Sequence, residues 1–163
     1  MTTQPEVDHF IVAPQRRVGA LGIVRNTDGQ MLFVEKKNPP EEHPVPFYLP
    51  GGCVNGNEPM LDGLVRAAHR KLGVTLEPGR LLAVHHMYEK QHRTHLSREG
   101  LNFLYDCGVW EKEPDFILHE DVARAVWMDP ADMEANLMTF TALRVRAALR
   151  TLSGGDVEVL ADY

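Results

Sequence analysis

The residues with the clearest chemical potential lie in the middle of the chain, where charged side chains follow a pair of glycines at fixed spacings. Gly52 is followed by Glu58, then by Arg66, and Gly73 closes the segment. Pro59 suits the first turn of a helix and Gly73 suits its end, so the segment predicts a loop, a helix and a second loop. We predict that Glu58 and Arg66 form a structural ion pair between the loop and the helix.

One face of this helix carries Ala67, Arg70 and Lys71, because residues three and four positions apart are neighbours on a helix. Both cations can donate charge-assisted hydrogen bonds to phosphate or carboxylate oxygens. A separate stripe at helical spacing is predicted to be buried, and its members are Leu61, Leu64, Val65, Ala68 and Leu72. The face with the two cations is therefore free to contact an anionic ligand.

The segment resembles the signature of the Nudix hydrolases (MutT-like proteins), a glycine turn followed by a helix rich in glutamate. The chain matches that signature at its turn, ion-pair and cap positions, which are Gly52, Glu58, Arg66 and Gly73. The resemblance covers most of residues 17–152. It implies an α/β fold of the Nudix type, an α/β/α sandwich with a mixed β-sheet.

The chain departs from the signature where the family has three glutamates on the helix, which are here Ala67, Arg70 and Lys71. In the family these carboxylates hold Mg²⁺ or Mn²⁺ against a substrate diphosphate, and Mg²⁺ prefers oxygen ligands. Three negative charges are lost and two positive charges are gained. Two unit charges 4 Å apart interact by roughly 4 kcal/mol at an effective dielectric near 20. We therefore expect no bound metal and no cofactor at this helix.

The main functional interpretation is a Nudix-like protein with a degenerate signature that binds a small anionic ligand, nucleotide-like or phosphorylated. It would be non-catalytic or repurposed for chemistry without a metal. The ligand is expected between the altered helix and the neighbouring strands. The resemblance and the two cations suggest the following lining residues: Arg70, Lys71, Gly51, Gly52, Tyr48 and Arg17, with Phe47 and Tyr88 as further positions.

Two alternatives stay open. One is a metal-dependent hydrolase of nucleoside diphosphate-linked compounds, in which Mg²⁺ or Mn²⁺ takes ligands from outside the altered face. Its catalytic candidates are Glu58, His69 and Glu120, with Asp121 as a further ligand. A transition-metal site that joins Glu58 or Glu120 to His69 or His86 is a variant of this alternative, because imidazole suits Zn²⁺. The other alternative is a protein interaction module.

The elements that must position these residues follow from hydrophobic patterning and turn signals. We predict a hairpin around Asp28-Gly29, because glycine accepts the positive φ of a tight turn. Further strands are predicted over residues 47–49, 81–88, 101–110, 122–128 and 157–160. A late helix is predicted over residues 143–152, with Arg144 largely away from its buried stripe.

The length of 163 residues corresponds to one domain. We divide the chain into an N-terminal arm or edge strand (1–15), a Nudix-like domain (16–155) and a C-terminal tail (156–163). The first residues lack the basic and apolar regions of a signal peptide, and the apolar runs are too short for a membrane span. We therefore expect a cytoplasmic protein.

Two classes of partner are not expected from the charge balance of the whole chain. The chain has 17 basic and 23 acidic residues, for a formal net charge of −6, which argues against binding to a nucleic acid polymer or a membrane surface. Its two cysteines are too few for a disulfide scaffold. Members of the family that the chain resembles are often dimers, so a homodimer stays open.

Overall fold

The computed structural model describes residues 10–161, which form ten strands and three helices. The strands are β1 (Arg17–Asn26), β2 (Met31–Lys36), β3 (Phe47–Tyr48), β4 (Gly51–Cys53), β5 (Leu81–Met87), β6 (Lys90–Gln91), β7 (Leu96–Ser97), β8 (Gly100–Trp110), β9 (Val122–Met128) and β10 (Glu158–Ala161). The helices are α1 (Met60–Leu72), α2 (Pro130–Asn136) and α3 (Thr139–Leu152). None of these helices is long and apolar enough to cross a bilayer.

An eight-stranded mixed sheet forms the centre of the fold. Its main order is β10-β5-β8-β1-β2-β3, with β4 also paired to β1 and β9 to β2. The pairs β1·β8 and β10·β5 are parallel and the others are antiparallel. The hairpin between β1 and β2 turns at Gly29, whose φ of 79° suits glycine. The predicted hairpin is confirmed.

Each face of the sheet is covered by helices, because each face is apolar and must be buried. Helix α1 packs on one face, where Leu64, Ala68 and Leu72 meet the apolar side chains of β1 and β2. Helices α2 and α3 cover the other face, where Val145 and Ala148 join a second core. The predicted α/β/α sandwich with a mixed sheet is therefore confirmed.

The buried side of α1 differs from the predicted stripe. Leu61 is 39% exposed, whereas Ala67 is buried. The buried arc is shifted because α1 packs against strand β4 in addition to β1 and β2. The small side chain of Ala67 faces Gly52 of β4, and position 67 is therefore buried. Ala67 is thus a packing residue, and the predicted face of three residues is divided between buried and exposed positions.

The two predicted ends of the chain have different structures. Strand β10 pairs in parallel with β5, so residues 158–161 of the predicted tail belong to the central sheet. Residues 10–15 of the predicted arm form no strand, and the side chains of Phe10 and Ile11 are exposed. The remainder of the arm, residues 1–9, and of the tail, residues 162–163, lies outside the described residues.

Candidate functional site

Strand β4 is held against β1 more closely than a side chain would permit. Gly51 has a φ of 124°, and a Cβ added to it would lie 2.2 Å from the carbonyl oxygen of Ala20. Only glycine combines this backbone conformation with so close an approach. The position of the Gly51 carbonyl, which borders the site described below, is therefore fixed by the absence of a side chain.

The loop between β4 and α1 is fastened by Glu58 and Arg66. Arg66 Nε donates to Glu58 Oε1 at 2.6 Å and Arg66 Nη2 to Glu58 Oε2 at 3.0 Å. Arg66 also donates to the Cys53 carbonyl oxygen at 2.9 Å, and the Asn55 amide donates to Glu58 Oε2 at 2.7 Å. The predicted structural ion pair is confirmed, and both side chains also form hydrogen bonds with the loop backbone.

This arrangement predicts an acid-sensitive contribution to stability. The hydrogen bonds from Arg66 and from the Asn55 amide lower the pKa of Glu58 from 4.5 to about 2. Because the pKa is lower in the folded state, the stabilisation is complete above pH 4.5 and is lost as the pH falls toward 2. We expect the Glu58→Gln variant to be less stable than the wild type above pH 5, in urea unfolding followed by circular dichroism.

The difference between wild type and variant should vanish near pH 2. Asp62→Asn is the matched control, because Asp62 is an exposed carboxylate in the first turn of the same helix. It should lower stability only slightly, because a first-turn carboxylate interacts weakly with the helix dipole. A stability difference for Glu58→Gln that does not change with pH would contradict the role assigned to the ionised pair.

Helix α1 ends as the sequence predicted. Gly73 has a φ of 69°, and its amide donates to the carbonyl oxygen of His69 at 2.8 Å. A Cβ at Gly73 would lie 2.6 Å from the Cβ of Ile117. The glycine cap therefore also permits the segment before β9 to pass close to the helix end.

The side chain of Lys71 crosses from α1 to the glycines of β4. Its Nζ donates to the Gly51 carbonyl oxygen at 2.5 Å. Burial, together with the positive charges of Lys36 and Arg70, lowers the pKa of Lys71 to about 8, whereas Cys53 opposes this shift. An ammonium thus occupies the helix position where the family signature has a carboxylate.

Lys71 opens onto a cavity of about 750 Å³ between β4, the end of α1, the start of α3 and the loops before β3 and β8. We call it the cationic cavity. Each charged side chain among the described residues that line it is positive: Arg17, Lys36, Lys71, Lys90, Arg98 and Arg144. No described Asp or Glu lines it, although the whole chain carries a net charge of −6. The cavity therefore favours anions.

Arg144 is the most deeply buried of these cations, and the prediction of its burial was wrong. We expected it largely away from the buried stripe of the late helix, but it is only 6% exposed. Its Nε donates to His85 Nδ1 at 3.0 Å, and its guanidinium lies over the ring of Phe140 at 5.0 Å. The sheet buries a wider arc of α3 than the apolar stripe alone indicates.

No described carboxylate pairs with Arg144. Burial, with a smaller effect from the charge of Arg17, lowers its pKa to about 10. Two cations therefore repel each other at the cavity, and the buried one, Arg144, has little water around it to reduce this cost.

Asn102 on β8 contacts Arg17 and lines the same cavity as Arg144. It is 2% exposed, and its Oδ1 accepts a hydrogen bond from Arg17 at 3.2 Å. Its Nδ2 is buried and has no hydrogen-bond partner within residues 10–161. A buried donor without an acceptor costs free energy. The cavity thus presents an unused donor next to two cations.

The structure gathers most of the predicted ligand-binding residues. Lys71, Gly51, Gly52, Tyr48 and Arg17 all line the cationic cavity, and Tyr88 does so as well. Arg70 is exposed and outside the cavity lining, and Phe47 packs into the core. Sequence reasoning missed Asn102 and Arg144. A signal for Arg144 was present, since it lies one helical turn, four positions, before the apolar Ala148 of the predicted late helix.

The catalytic candidates Glu58, His69 and Glu120 are not brought together at this cavity. Glu58 is bound to Arg66, and His69 and Glu120 are exposed, so none of the three lines the cavity. His86 pairs with Glu99 at 2.6 Å instead of with Glu58.

The residues present do not fit the divalent ion that the family signature implies. Position 67 offers a methyl group, and position 71 offers an ammonium bonded to the Gly51 carbonyl. Nowhere in residues 10–161 do three or more His, Cys, Asp or Glu side chains form a group that could hold a metal ion. Mg²⁺ needs a set of oxygen ligands, which these side chains do not supply.

A known protein family and known structures resemble the sequence and the fold of this chain. The NUDIX domain profile matches residues 15–149 of the chain. No curated protein matches the sequence significantly.

Solved structures share the fold at low sequence identity. The MutT protein from Methanosarcina mazei Go1 superposes with a TM-score of 0.68 at 17% identity, covering 86% of this chain and 97% of that one. A MutT NUDIX hydrolase from Burkholderia pseudomallei gives 0.61 at 24% identity, covering 83% and 97%. An ADP-ribose pyrophosphatase from Streptococcus suis 89-1591 gives 0.62 at 14% identity, covering 91% and 100%.

Proposed function

Because this chain belongs to the Nudix domain family, we propose that it uses the family fold to bind a small anionic ligand, nucleotide-like or phosphorylated, without metal-dependent hydrolysis. The ligand binds in the cationic cavity. It is held by direct contacts with side chains instead of through a divalent ion.

The single observation that carries this proposal is the group formed by Arg144, Arg17 and Asn102. The two guanidinium groups repel each other, and Asn102 keeps a buried donor unused. An anion placed between them satisfies all three groups at once, because guanidinium and amide N–H groups donate to phosphate or carboxylate oxygens. No described acidic residue of the cavity performs that role.

The altered helix supports the second half of the proposal. In the hydrolases of this family, a carboxylate-bound metal neutralises the diphosphate and activates water. Lys71 neutralises negative charge without a metal, but it supplies no metal-bound water. The signature has thus kept its structural residues, Glu58, Arg66 and the two glycines of the turn and cap, and has lost the residues needed for hydrolysis.

Binding in the absence of metal tests the function directly. We expect ADP-ribose, nucleoside diphosphates or sugar nucleotides to bind in calorimetry with equal affinity in EDTA and in Mg²⁺. A structural neighbour described as an ADP-ribose pyrophosphatase makes ADP-ribose the first probe. The same samples should release no phosphate or mononucleotide when Mg²⁺ or Mn²⁺ is added.

The outcomes separate the three candidate functions. Binding only in Mg²⁺, with release of a mononucleotide, would establish the hydrolase and overturn the proposal. No binding of any member of the panel, with association to a protein partner, would establish the interaction module. Inorganic phosphate should compete with the bound member of the panel, since the anionic group makes the main contacts.

A further inference from the structure

Lys71 presents a primary amine to the cationic cavity from the last turn of α1. Its Nζ is fixed by the Gly51 carbonyl oxygen and lies within 3.5 Å of where a Cβ of Gly52 would be. Because Gly52 has no side chain, the space beside the amine is open to a ligand. The amine is thus both oriented and accessible from the cavity.

The amine of Lys71 has cations near it and no carboxylate partner among the described residues, which suits a nucleophile better than a member of an ion pair. No described carboxylate bonds to Lys71, and none lines the cavity. Lys36, whose ammonium lies 4.1 Å from the ring centre of Tyr48, and Cys53 both line the cavity. Neighbouring cations and burial both favour the neutral form of a lysine, which is the form that attacks carbonyl carbon.

We propose that Lys71 forms an imine with an anionic carbonyl compound, the anionic group of which lies against Arg17, Asn102 and Arg144. The proposal rests on the proposed function, because the same cavity must first hold the anion. It narrows the ligand class to phosphorylated or carboxylated aldehydes and ketones, including sugars with a free carbonyl end.

The reaction balances without a cofactor. The lone pair of the neutral Lys71 amine forms a C–N bond to the carbonyl carbon, and a proton passes from nitrogen to oxygen to give a carbinolamine. The second amine proton and the hydroxyl then leave as water, which gives the imine. The Gly51 carbonyl accepts only one N–H of the amine, so the lone pair stays free for attack.

The ionisation of Lys71 agrees with this role. With a pKa of about 8, about one molecule in ten carries the neutral amine at pH 7, against about one in three thousand for an ordinary lysine. Burial is the main cause of this value. Lys36 from β2 and Arg70 from α1 also lower the pKa, and Cys53 from β4 raises it. The amine is therefore reactive near neutral pH.

Reductive trapping of the intact chain tests the proposal. The protein is mixed with pyridoxal 5′-phosphate, an anionic aldehyde, and reduced with borohydride, which converts an imine into a stable amine that peptide mass spectrometry locates. We expect Lys71 to be labelled at least about tenfold faster than exposed lysines such as Lys112, with the rate rising through about pH 8. Pyridoxal without the phosphate should label Lys71 more slowly.

Two variants and one analogue keep the result interpretable. Lys71→Arg retains the charge and cannot form an imine, so labelling at this position should disappear, whereas Lys112→Arg should leave it unchanged. Pyridoxine 5′-phosphate carries the same phosphate but no carbonyl. If Lys71 is labelled no faster than Lys112, imine formation is wrong. Anion binding still stands in that case if pyridoxine 5′-phosphate or any nucleotide of the panel binds in calorimetry. If none of these compounds binds, both proposals are wrong.

Discussion

Replacing Arg144 by Met is expected to weaken binding of ADP-ribose to the cationic cavity by at least about a hundredfold. A hydrogen bond to a charged group contributes about 1.5–3 kcal/mol, and each 1.4 kcal/mol is a factor of about ten in the dissociation constant. Arg144 is positioned to donate two such bonds, because a guanidinium pairs with two oxygens at once. Calorimetry in EDTA measures the loss.

The same substitution should not destabilise the ligand-free protein. The pKa of Arg144 falls from 12.5 to about 10, which corresponds to about 3 kcal/mol of penalty for the charged form in the fold at pH 7. Loss of the hydrogen bond from this cation to His85 costs about 1.5–3 kcal/mol. We therefore expect the free energy of unfolding to stay the same or to rise by up to about 1.5 kcal/mol. Weaker binding without loss of stability is typical of a residue kept for function.

Arg146→Met is the matched control, because Arg146 lies on the exposed side of the same helix and pairs with Glu134. Affinity for ADP-ribose should be the same as in the wild type, and stability should change by less than about 1 kcal/mol. If Arg144→Met bound ADP-ribose as tightly as this control does, the anion would not contact Arg144.

Replacing Gly51 by Ala is expected to produce the largest loss of stability, at least about 3 kcal/mol. The added methyl group would lie 2.2 Å from the backbone oxygen of Ala20 and 3.0 Å from Leu64. Backbone cannot move aside as a flexible side chain can, and the φ of 124° is strained for alanine. Strand β4 must shift away from β1, and the carbonyl that binds Lys71 shifts with it. Urea unfolding should show a lower midpoint with an unchanged slope.

Gly29→Ala separates the two causes of this loss. Gly29 has a φ of 79°, but nothing lies within 4 Å of its added Cβ. It should therefore cost only the strain of a positive φ, about 1 kcal/mol. Equal effects of the two substitutions would show that the contact with Ala20 contributes nothing and that β4 has freedom to move.

The Gly51→Ala substitution should also change the ionisation of Lys71 in the cationic cavity. Because Lys71 is held by the Gly51 carbonyl, a displaced β4 should raise the pKa of Lys71 toward its ordinary value by exposing the amine to solvent. A folded Gly51→Ala variant should then lose the fast labelling of Lys71 while keeping ordinary labelling of Lys112. Backbone packing at one glycine would thus control the reactivity of a side chain twenty positions away.

The part of the site that could be predicted from sequence is the part formed by neighbours along the chain. Glu58 and Arg66 are eight positions apart, and Gly73 ends the helix that carries Arg66. Helical periodicity and the conformational freedom of glycine act within such short distances. The ion pair, the helix and its cap therefore follow from residue types and spacing alone.

Patterns along the chain were less accurate where two elements pack together. The helical stripe placed Leu61 in the core and Ala67 outside it, and the structure reverses both positions. Which arc of a helix is buried depends on the strands that it meets, and strand β4 approaches α1 from the side that carries Ala67. A hydrophobic pattern records how apolar a face is, but not what covers it.

Only the tertiary structure decided the composition of the cationic cavity. The cavity combines Arg17 from β1, Asn102 from β8 and Arg144 from α3. The sheet order makes β1 and β8 neighbours although the first two residues are 85 positions apart, and α3 packs against the same sheet. The chemistry of Asn102 and Arg144 depends on burial, and that of both cations on the absence of a carboxylate partner. Neither property is encoded at any single position. Sequence thus determined the frame of the site through local backbone preferences. The fold determined its charge, because electrostatic interactions depend on distance in space and on exclusion of water.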